Sequence, residues 1–291
     1  MITSLSNRAV RDVMQLNQKA KTRDKQGLFV AEGVKMFEEA PVSRIDKVYI
    51  AQRMEKELWE KYGDKLHKLS CETVADEVFD KMSDTKTPQG VLCLIRQFHY
   101  NIEDMLAGKY RRNDSGMSIV INSPAHSGTE KKKRMLFIVL EDMQDPGNLG
   151  TVFRTGEGAG VDGIIMSGRT VDVYNPKTIR STMGSVYRVP FLYADDIRET
   201  IRTLQQHGIC VYAAHLKKSK PYDTFDYRKG TAFLIGNESS GLKDETADCA
   251  DAYLRIPMEG RVESLNAAVA SSILLYEAYR QRRGKSIEPL Q

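Results

Sequence analysis

From Met135 onward the chain alternates short, unbroken apolar runs with amphipathic stretches. The runs are "LFIVLE" (136–141), "GIIMS" (163–167), "YRVPFL" (187–192), "ICVYAAH" (209–215) and "TAFLIG" (231–236), with "AYLRIP" as a short sixth. Runs of this length without period-two polarity fit strands of a mostly parallel sheet covered by helices on both faces, an α/β architecture. Residues 1–108 carry a smaller α/β pattern. Helical periodicity in "NRAVRDVMQLNQKAK" precedes a strand at 27–33 and a helix to Ala40. A strand at 46–51, helices around 55–62 and 74–82, and a strand at 90–95 follow. Between the two patterns, residues 109–134 turn to Ser, Gly, Asn and basic residues, the composition of a flexible basic linker or insertion. The expected plan is a small domain over 1–108, a linker over 109–134, a larger domain over 135–284 and a tail over 285–291.

Composition narrows the class. With 41% apolar and 28% charged residues among 291, the chain is of globular type, and no run of 18 or more apolar residues is available to span a membrane. The opening residues lack an apolar h-region, so no secretory signal is expected. Cys71, Cys93, Cys210 and Cys249 lie far apart without paired spacing, which argues against a disulfide framework and against a metal site. A reducing cytoplasm is the expected home. A net charge of +4 permits a nucleic-acid partner without demanding one.

"GAGVDG", with Gly158, Gly160 and Gly163, satisfies the dinucleotide-binding pattern G-x-G-x-x-G. That motif works where a strand runs into it and a helix leaves it, because the phosphate rests on the helix N-terminus. Here a helix runs in and a strand leaves, so the glycines read as a helix C-cap and turn.

Three other segments bring glycine and polar groups to a strand end that leads into a helix. In "EDMQDPGNLGTVFRTGEGAG", Asp145, Pro146, Gly147 and Asn148 form a helix start, and Leu149, Val152, Phe153 and Gly156 form its buried stripe. Arg154 lies off that stripe, with Gly150 and Gly158 one turn away on either side, leaving room for a ligand or a neighbouring backbone. In "FLIGNESSGLKDE", a strand ends at Gly236, and Asn237 and Glu238 follow. In "RIPMEGRVESLNAAVASS", Ser264 is a candidate N-cap, and small residues open the helix after Asn266. Taken singly, each segment reads about as well as a solvated arginine, a capped loop or an ordinary helix start. Their conjunction favours a ligand site at the carboxyl ends of the strands.

Taken together, "NLGTVFR", "IGNESSGL" and "IPMEGRVESLNAAVA" resemble the three motifs of the SpoU/TrmH-type RNA 2′-O-ribose methyltransferases of the SPOUT superfamily, over residues 136–282. More weakly, "KTRDKQGLFVAEG" with "TPQGVLCLI" resembles the L30e-like RNA-binding domain of many members. The resemblance implies a C-terminal segment threaded through a loop as a trefoil knot. It implies S-adenosylmethionine held in the knotted loops by groups that include Gly236, Ile256 and Leu265. It also implies methyl transfer to a ribose 2′-hydroxyl, in large-subunit ribosomal RNA before transfer RNA, and a homodimer to which Leu274, Leu275, Tyr276 and Tyr279 contribute. Arg154 matches the position the family treats as general base. A guanidinium stays protonated in proteins, so orienting the ribose and steadying the developing alkoxide is its physical assignment. Asn148, Glu238, Ser264 and Asn266 would orient Arg154, the sugar and the methyl donor.

The pattern departs from the family at Ser239, where glycine is usual and where a positive φ would strain a serine, and more mildly at Ala267 and Ala268, where Val-Ser is common. RNA contacts are expected from the small domain and from three basic clusters: Lys19, Lys21, Arg23 and Lys25; residues 131–134; and Lys217, Lys218 and Lys220. Two rivals remain at this point. One is a non-catalytic RNA-binding or ribosome-assembly factor on the same scaffold, which failure to bind S-adenosylmethionine would favour. The other is a base methylase, separable by locating the label on sugar or base.

Overall fold

A computed structural model of the chain describes residues 1–112, 118–120, 134–262 and 264–283. The chain divides into two compact units, Met1–Phe98 with Asp172–Tyr187, and His99–Val171 with Arg188–Gln291.

The first unit is a four-stranded mixed sheet of β1 (Leu28–Glu32), β2 (Ile45–Ala51), β3 (Cys71–Val74) and β4 (Val91–Arg96), in the order β1-β4-β2-β3. The helix Arg8–Gln18 lays Val10, Val13 and Leu16 on this sheet, in a core with Tyr49, Phe79 and Leu92. These residues recur at i, i+3 and i+6, the spacing of one helical face. The segment Asp172–Tyr187 is tied into the same unit by Arg23, 3% exposed, whose guanidinium Nε donates to Asp172 Oδ2 at 2.9 Å. A helix was expected to begin at Val74; instead Val74 ends β3, paired in parallel with Ala51, and the helix starts at Asp76. Its β-branched side chain is fully buried on the sheet, which outweighs helical continuity.

In the second unit, two short strands β5 (Tyr110–Arg112) and β6 (Ser118–Val120) pair antiparallel. The rest of the 109–134 reading largely falls outside the described residues. The main sheet has seven strands: β7 (Leu136–Leu140), β8 (Gly163–Ser167), β9 (Phe191–Ala194), β10 (Cys210–Ala214), β11 (Lys220–Pro221), β12 (Thr231–Ile235) and β13 (Ala252–Arg255). Their order is β11-β13-β10-β12-β7-β8-β9, and every pairing is parallel. Phe137, Val139, Ile165, Val211 and Leu234 fill the core, as the unbroken apolar runs require. The strand expected at 187–192 begins later, at Phe191. Pro190 has no N–H to give the ladder, though its carbonyl still accepts from Ile164 N–H at 2.9 Å. Among the described residues no helix is long and apolar enough to cross a membrane.

Candidate functional site

Strand order brings distant loops together. β12 lies between β7 and β10, and β13 flanks β10, so the loops that leave β7, β12 and β13 emerge at one sheet edge. In parallel sheets the carboxyl edge is where ligands bind. The turn after β7 is built first. Glu141, 2% exposed, accepts hydrogen bonds from Lys243 N–H at 2.9 Å and from the Thr246 hydroxyl at 2.6 Å. Asp142 adopts φ 55°, a left-handed conformation that costs a non-glycine residue energy. It is held there because its N–H donates to Ser167 Oγ at 2.8 Å, its Oδ2 accepts from Lys243 Nζ at 2.8 Å, and its carbonyl accepts from Asn237 Nδ2 at 2.7 Å. Burial raises the Asp142 carboxyl. The hydrogen bonds from Lys243 and Ser167 outweigh it and leave the group below the usual carboxylate range.

The loop after β12 folds back on itself. Asn237 and Gly241 exchange both backbone hydrogen bonds at 3.0 Å, and Asn237 Oδ1 accepts from the N–H groups of Ser239 at 2.9 Å and Ser240 at 3.1 Å. The return crosses directly over Gly236, where a Cβ would stand 2.2 Å from the Gly241 carbonyl carbon and from Leu242 N. Glycine is required there by closeness, and at Gly241 by φ 69°. Ser239 does not have a positive φ, so the strain anticipated from its replacing a glycine does not arise. The left-handed position is Gly241 instead.

The helix Pro146–Ala159 starts as its sequence indicates: Asp145 caps it by accepting from Asn148 N–H at 2.8 Å, and Pro146 occupies the first turn. Leu149, Val152, Phe153 and Gly156 are buried, and Gly160 closes the helix at φ 76°, which makes "GAGVDG" a C-cap. From this N-terminus a chain of hydrogen bonds crosses all three motifs. Asn148 Nδ2 donates to Glu238 Oε1 at 3.0 Å, and Asn148 Oδ1 accepts from Asn266 Nδ2 at 3.0 Å. Glu238 also accepts from the backbone N–H groups of Gln144 and Asp145, both at 3.1 Å. Burial alone would raise the Glu238 carboxyl, but Asn148 and these N–H groups hold it below the usual range.

Asn266, not Ser264, caps the C-terminal helix Ala267–Arg283: its Oδ1 accepts from Ala268 N–H at 2.9 Å and Val269 N–H at 3.2 Å. One carboxamide can cap with its oxygen and reach Asn148 with its nitrogen, which a serine hydroxyl two residues earlier cannot do. The small residues after it are buried at Ala267, Ala268 and Ser271, and the helix packs closely on Pro146–Ala159, with Thr155 and Ser272 hydroxyls 3.0 Å apart. A Cβ at Gly158 would lie 2.9 Å from the Tyr276 hydroxyl, so that glycine makes room for a side chain of this helix. Of the residues expected at a dimer interface, Leu274 and Leu275 are fully buried in the chain's own core, whereas Tyr276 is exposed, as is Val269.

The loops after β10, β12 and β13 line an open cleft of about 490 Å³, within the range of small-molecule sites. Gly236, Glu238, Ile256, Ser264 and Leu265 all line it, with Leu242 and Met258 adding apolar surface. Asn148 and Asn266 are fastened to its wall through Glu238. Arg154 does not line the cavity. It lies six residues along the helix from Asn148, about 9 Å of rise, and is exposed, with no hydrogen bond or ion pair among the described residues. Glu141, Asp142 and Lys243, which the sequence motifs do not single out, form the scaffold of the site together with Asn237. The signal for them is the pair of carboxylates, Glu141 and Asp142, at the end of a buried strand, where burial demands partners. Of the basic clusters, Arg23 is buried and paired, while Lys19, Lys21 and Lys25 are exposed; residues 131–133 lie outside the described residues. Among the described residues no cluster of metal-ligating side chains occurs.

A parallel sheet whose carboxyl-end loops form such a cleft defines the class as a methyltransferase once the comparisons are added. Residues 135–276 match the SpoU rRNA Methylase family, and residues 7–93 match the MRM3-like substrate binding domain. The chain is 31% identical to an AdoMet-bound rRNA methyltransferase from Sinorhizobium meliloti, with 96% of this chain and 97% of that one covered and a TM-score of 0.76. It superposes on a crystal structure of an RNA 2′-O ribose methyltransferase at TM-score 0.73, 28% identity, and 97% and 99% coverage. It is 28% identical over 275 residues to the 23S rRNA (guanosine(2553)-2′-O)-methyltransferase RlmP of Bacillus subtilis (strain 168), covering 94% of this chain and 97% of the relative. The chain belongs to the SpoU rRNA methylase family.

Proposed function

We propose that this protein transfers a methyl group from S-adenosylmethionine to a ribose 2′-hydroxyl of large-subunit ribosomal RNA. The observation that carries the reading is the Asn266–Asn148–Glu238 hydrogen-bond chain, which unites all three motifs at the cavity wall. The residues present fit the cofactor. The cavity combines apolar walls from Leu242, Ile256 and Leu265 with the turn at Gly236, where no side chain intrudes and backbone groups can face a ligand. The bound cofactor supplies an electrophilic methyl group on a sulfonium. Trefoil threading of the C-terminal segment accords with a cavity walled by the loop after β12 and the segment after β13.

This chain's own residues then have two tasks. Glu238, kept ionised by its donors, fixes the Asn148 carboxamide, and Asn266 locks it from the other side. Ser264, exposed in the cavity wall, offers a hydroxyl to the sugar. The Arg154 guanidinium orients the ribose–phosphate backbone and stabilises the alkoxide as the 2′-hydroxyl proton departs to solvent. The exposed Lys19, Lys21 and Lys25 contribute phosphate contacts. Outward-facing Val269 and Tyr276 suit a homodimer through the C-terminal helix, and four unpaired cysteines suit the cytoplasm.

The test is methylation of unmodified 23S rRNA and tRNA transcripts with methyl-labelled S-adenosylmethionine, followed by digestion to nucleosides. Label on 2′-O-methylnucleosides from 23S rRNA is expected. Label on a base, label in tRNA alone, or no binding of the cofactor by calorimetry refutes the reading.

A further inference from the structure

The turn that leaves β8 carries an arginine outside the three motifs. Arg169 stands at the carboxyl edge of the sheet, exposed, and its side chain makes no hydrogen bond or ion pair among the described residues. Its backbone, by contrast, is held from three directions. Thr170 N–H donates to the Ser167 carbonyl at 3.0 Å and closes the turn. Ser167 Oγ donates to Asp142 Oδ1 at 2.7 Å, and Gln144 Nε2 donates to the Arg169 carbonyl at 2.6 Å. The same Nε2 donates to the Asp142 carbonyl at 3.1 Å, while the Gln144 backbone N–H donates to Glu238. One residue thereby fastens the turn to the loop that carries the Asn148–Glu238 chain. A cation on a fixed backbone loses less freedom on meeting an anion than one on a loose loop.

Two cations act on Asp142, and only one is bonded to it. Lys243 Nζ takes Oδ2 at 2.8 Å. Burial raises the Asp142 carboxyl, hydrogen bonds from Lys243 and Ser167 lower it, and the charges of Lys243 and then Arg169 lower it further. The Arg169 guanidinium therefore lies within electrostatic reach of this turn but is left to solvent. The cofactor does not account for it. The cleft is lined from the loops after β10, β12 and β13, without Arg169, and β8 lies across β7 from β12. We propose that Arg169 is a substrate-binding residue: its guanidinium contacts an RNA phosphate on the flank of the site away from the cofactor cleft, with Gln144 as the positioning residue that holds the turn. The inference rests on the reading of the protein as an RNA methyltransferase. A planar guanidinium matches phosphate oxygens in pairs, and a phosphate contact fixes the register of a strand without reading its bases.

The experiment measures binding of the full-length protein to an unmodified 23S rRNA transcript across a range of KCl concentrations, with cofactor calorimetry and a melting curve on every variant. Arg169→Gln should weaken RNA binding about 3- to 10-fold at about 0.1 M salt. It should also lower the slope of log K against log salt by about 0.7–0.9, the value for one phosphate, with S-adenosylmethionine affinity kept within about twofold. Arg169→Lys should keep the slope and part of the affinity, because the charge stays while the paired geometry goes. Gln144→Leu should weaken binding about 2- to 3-fold with the slope unchanged, and should have no further effect in an Arg169→Gln background. An R169Q protein with the parent's salt slope overturns the phosphate contact whether affinity is kept or lost, since a structural role moves affinity alone. Weakened cofactor binding in R169Q overturns it too, by placing the residue at the cleft. A Q144L effect that persists without Arg169 overturns the positioning role. If the parent protein puts no 2′-O-methyl label on 23S rRNA, it is the proposed function that fails, while the salt slope still decides Arg169.

Discussion

Gly236→Ala tests the proposed cofactor pocket through a single methyl group. The added Cβ would lie 2.2 Å from two backbone atoms of the returning loop, against the 3.0 Å that real Cβ atoms respect. Something must therefore retreat by about 0.8 Å, and by more to reach ordinary contact near 3.5 Å. No flexible side chain can absorb this, because both opposing atoms are backbone. Gly236 follows a strand hydrogen-bonded on both sides, so the loop 237–241 is the part that gives. Its two Asn237–Gly241 bonds of 3.0 Å are the first to stretch. Overpacking of this kind costs about 1–3 kcal/mol, and losing a backbone hydrogen bond costs about 0.5–1.5 kcal/mol. If the loop in its present form is what binds the cofactor, binding carries about 1–3 kcal/mol of that cost, a weakening of about 5- to 150-fold. Isothermal titration with S-adenosylmethionine, at a temperature where both proteins are folded by melting curve, reads the shift directly. A Gly236→Ala protein that binds within twofold of its parent would refute the reasoning, since the loop would then be irrelevant to the ligand or free to move without cost.

Arg154→Ala should lower turnover by about 10²–10⁴-fold with S-adenosylmethionine affinity retained in the same titration; near-full turnover would remove Arg154 from the chemistry. Asn266→Ala removes both a helix cap and the bond to Asn148, so stability should fall by about 0.5–2 kcal/mol in denaturant melts, with a loss of rate beyond that seen for Ser264→Ala. Glu238, held below its ordinary range when folded, contributes stability that is present above the unfolded carboxylate value and lost as pH falls through the lower folded value. Glu238→Gln should therefore shrink the loss of stability on acidification below about pH 4.3; an unchanged acid limb in thermal melts would show that its hydrogen bonds carry no such linkage.

The segments that were legible are those in which neighbours along the chain decide the outcome. Leu149, Val152, Phe153 and Gly156 marked a buried helix face by spacing, and unbroken apolar runs marked β7, β8, β10 and β12. Pro146 followed from backbone chemistry, since a missing N–H has meaning without a partner, whereas the left-handed position anticipated at Ser239 is Gly241 and the close approach over Gly236 came only with the folded loop. Ser264 was a sound cap candidate by type, yet the cap is Asn266, because that side chain is also wanted by Asn148, 118 positions away. Arg23 was grouped with the basic residues expected to contact RNA, yet it is buried and paired with Asp172, 149 positions away. The Arg188–Glu157 ion pair likewise crosses 31 positions.

The sequence by itself determined the elements, their buried faces and the three loops that could carry chemistry, because periodicity and backbone freedom are local properties of the chain. Which loops meet was decided by the order of strands, with β12 set between β7 and β10. That placement joins Asn148, Glu238 and Asn266 and sends the loop after β12 back over Gly236. Hydrogen bonds and ion pairs act over about 3 Å and take no account of separation along the polypeptide, so the partners of a polar side chain become defined only when the sheet has brought them within reach.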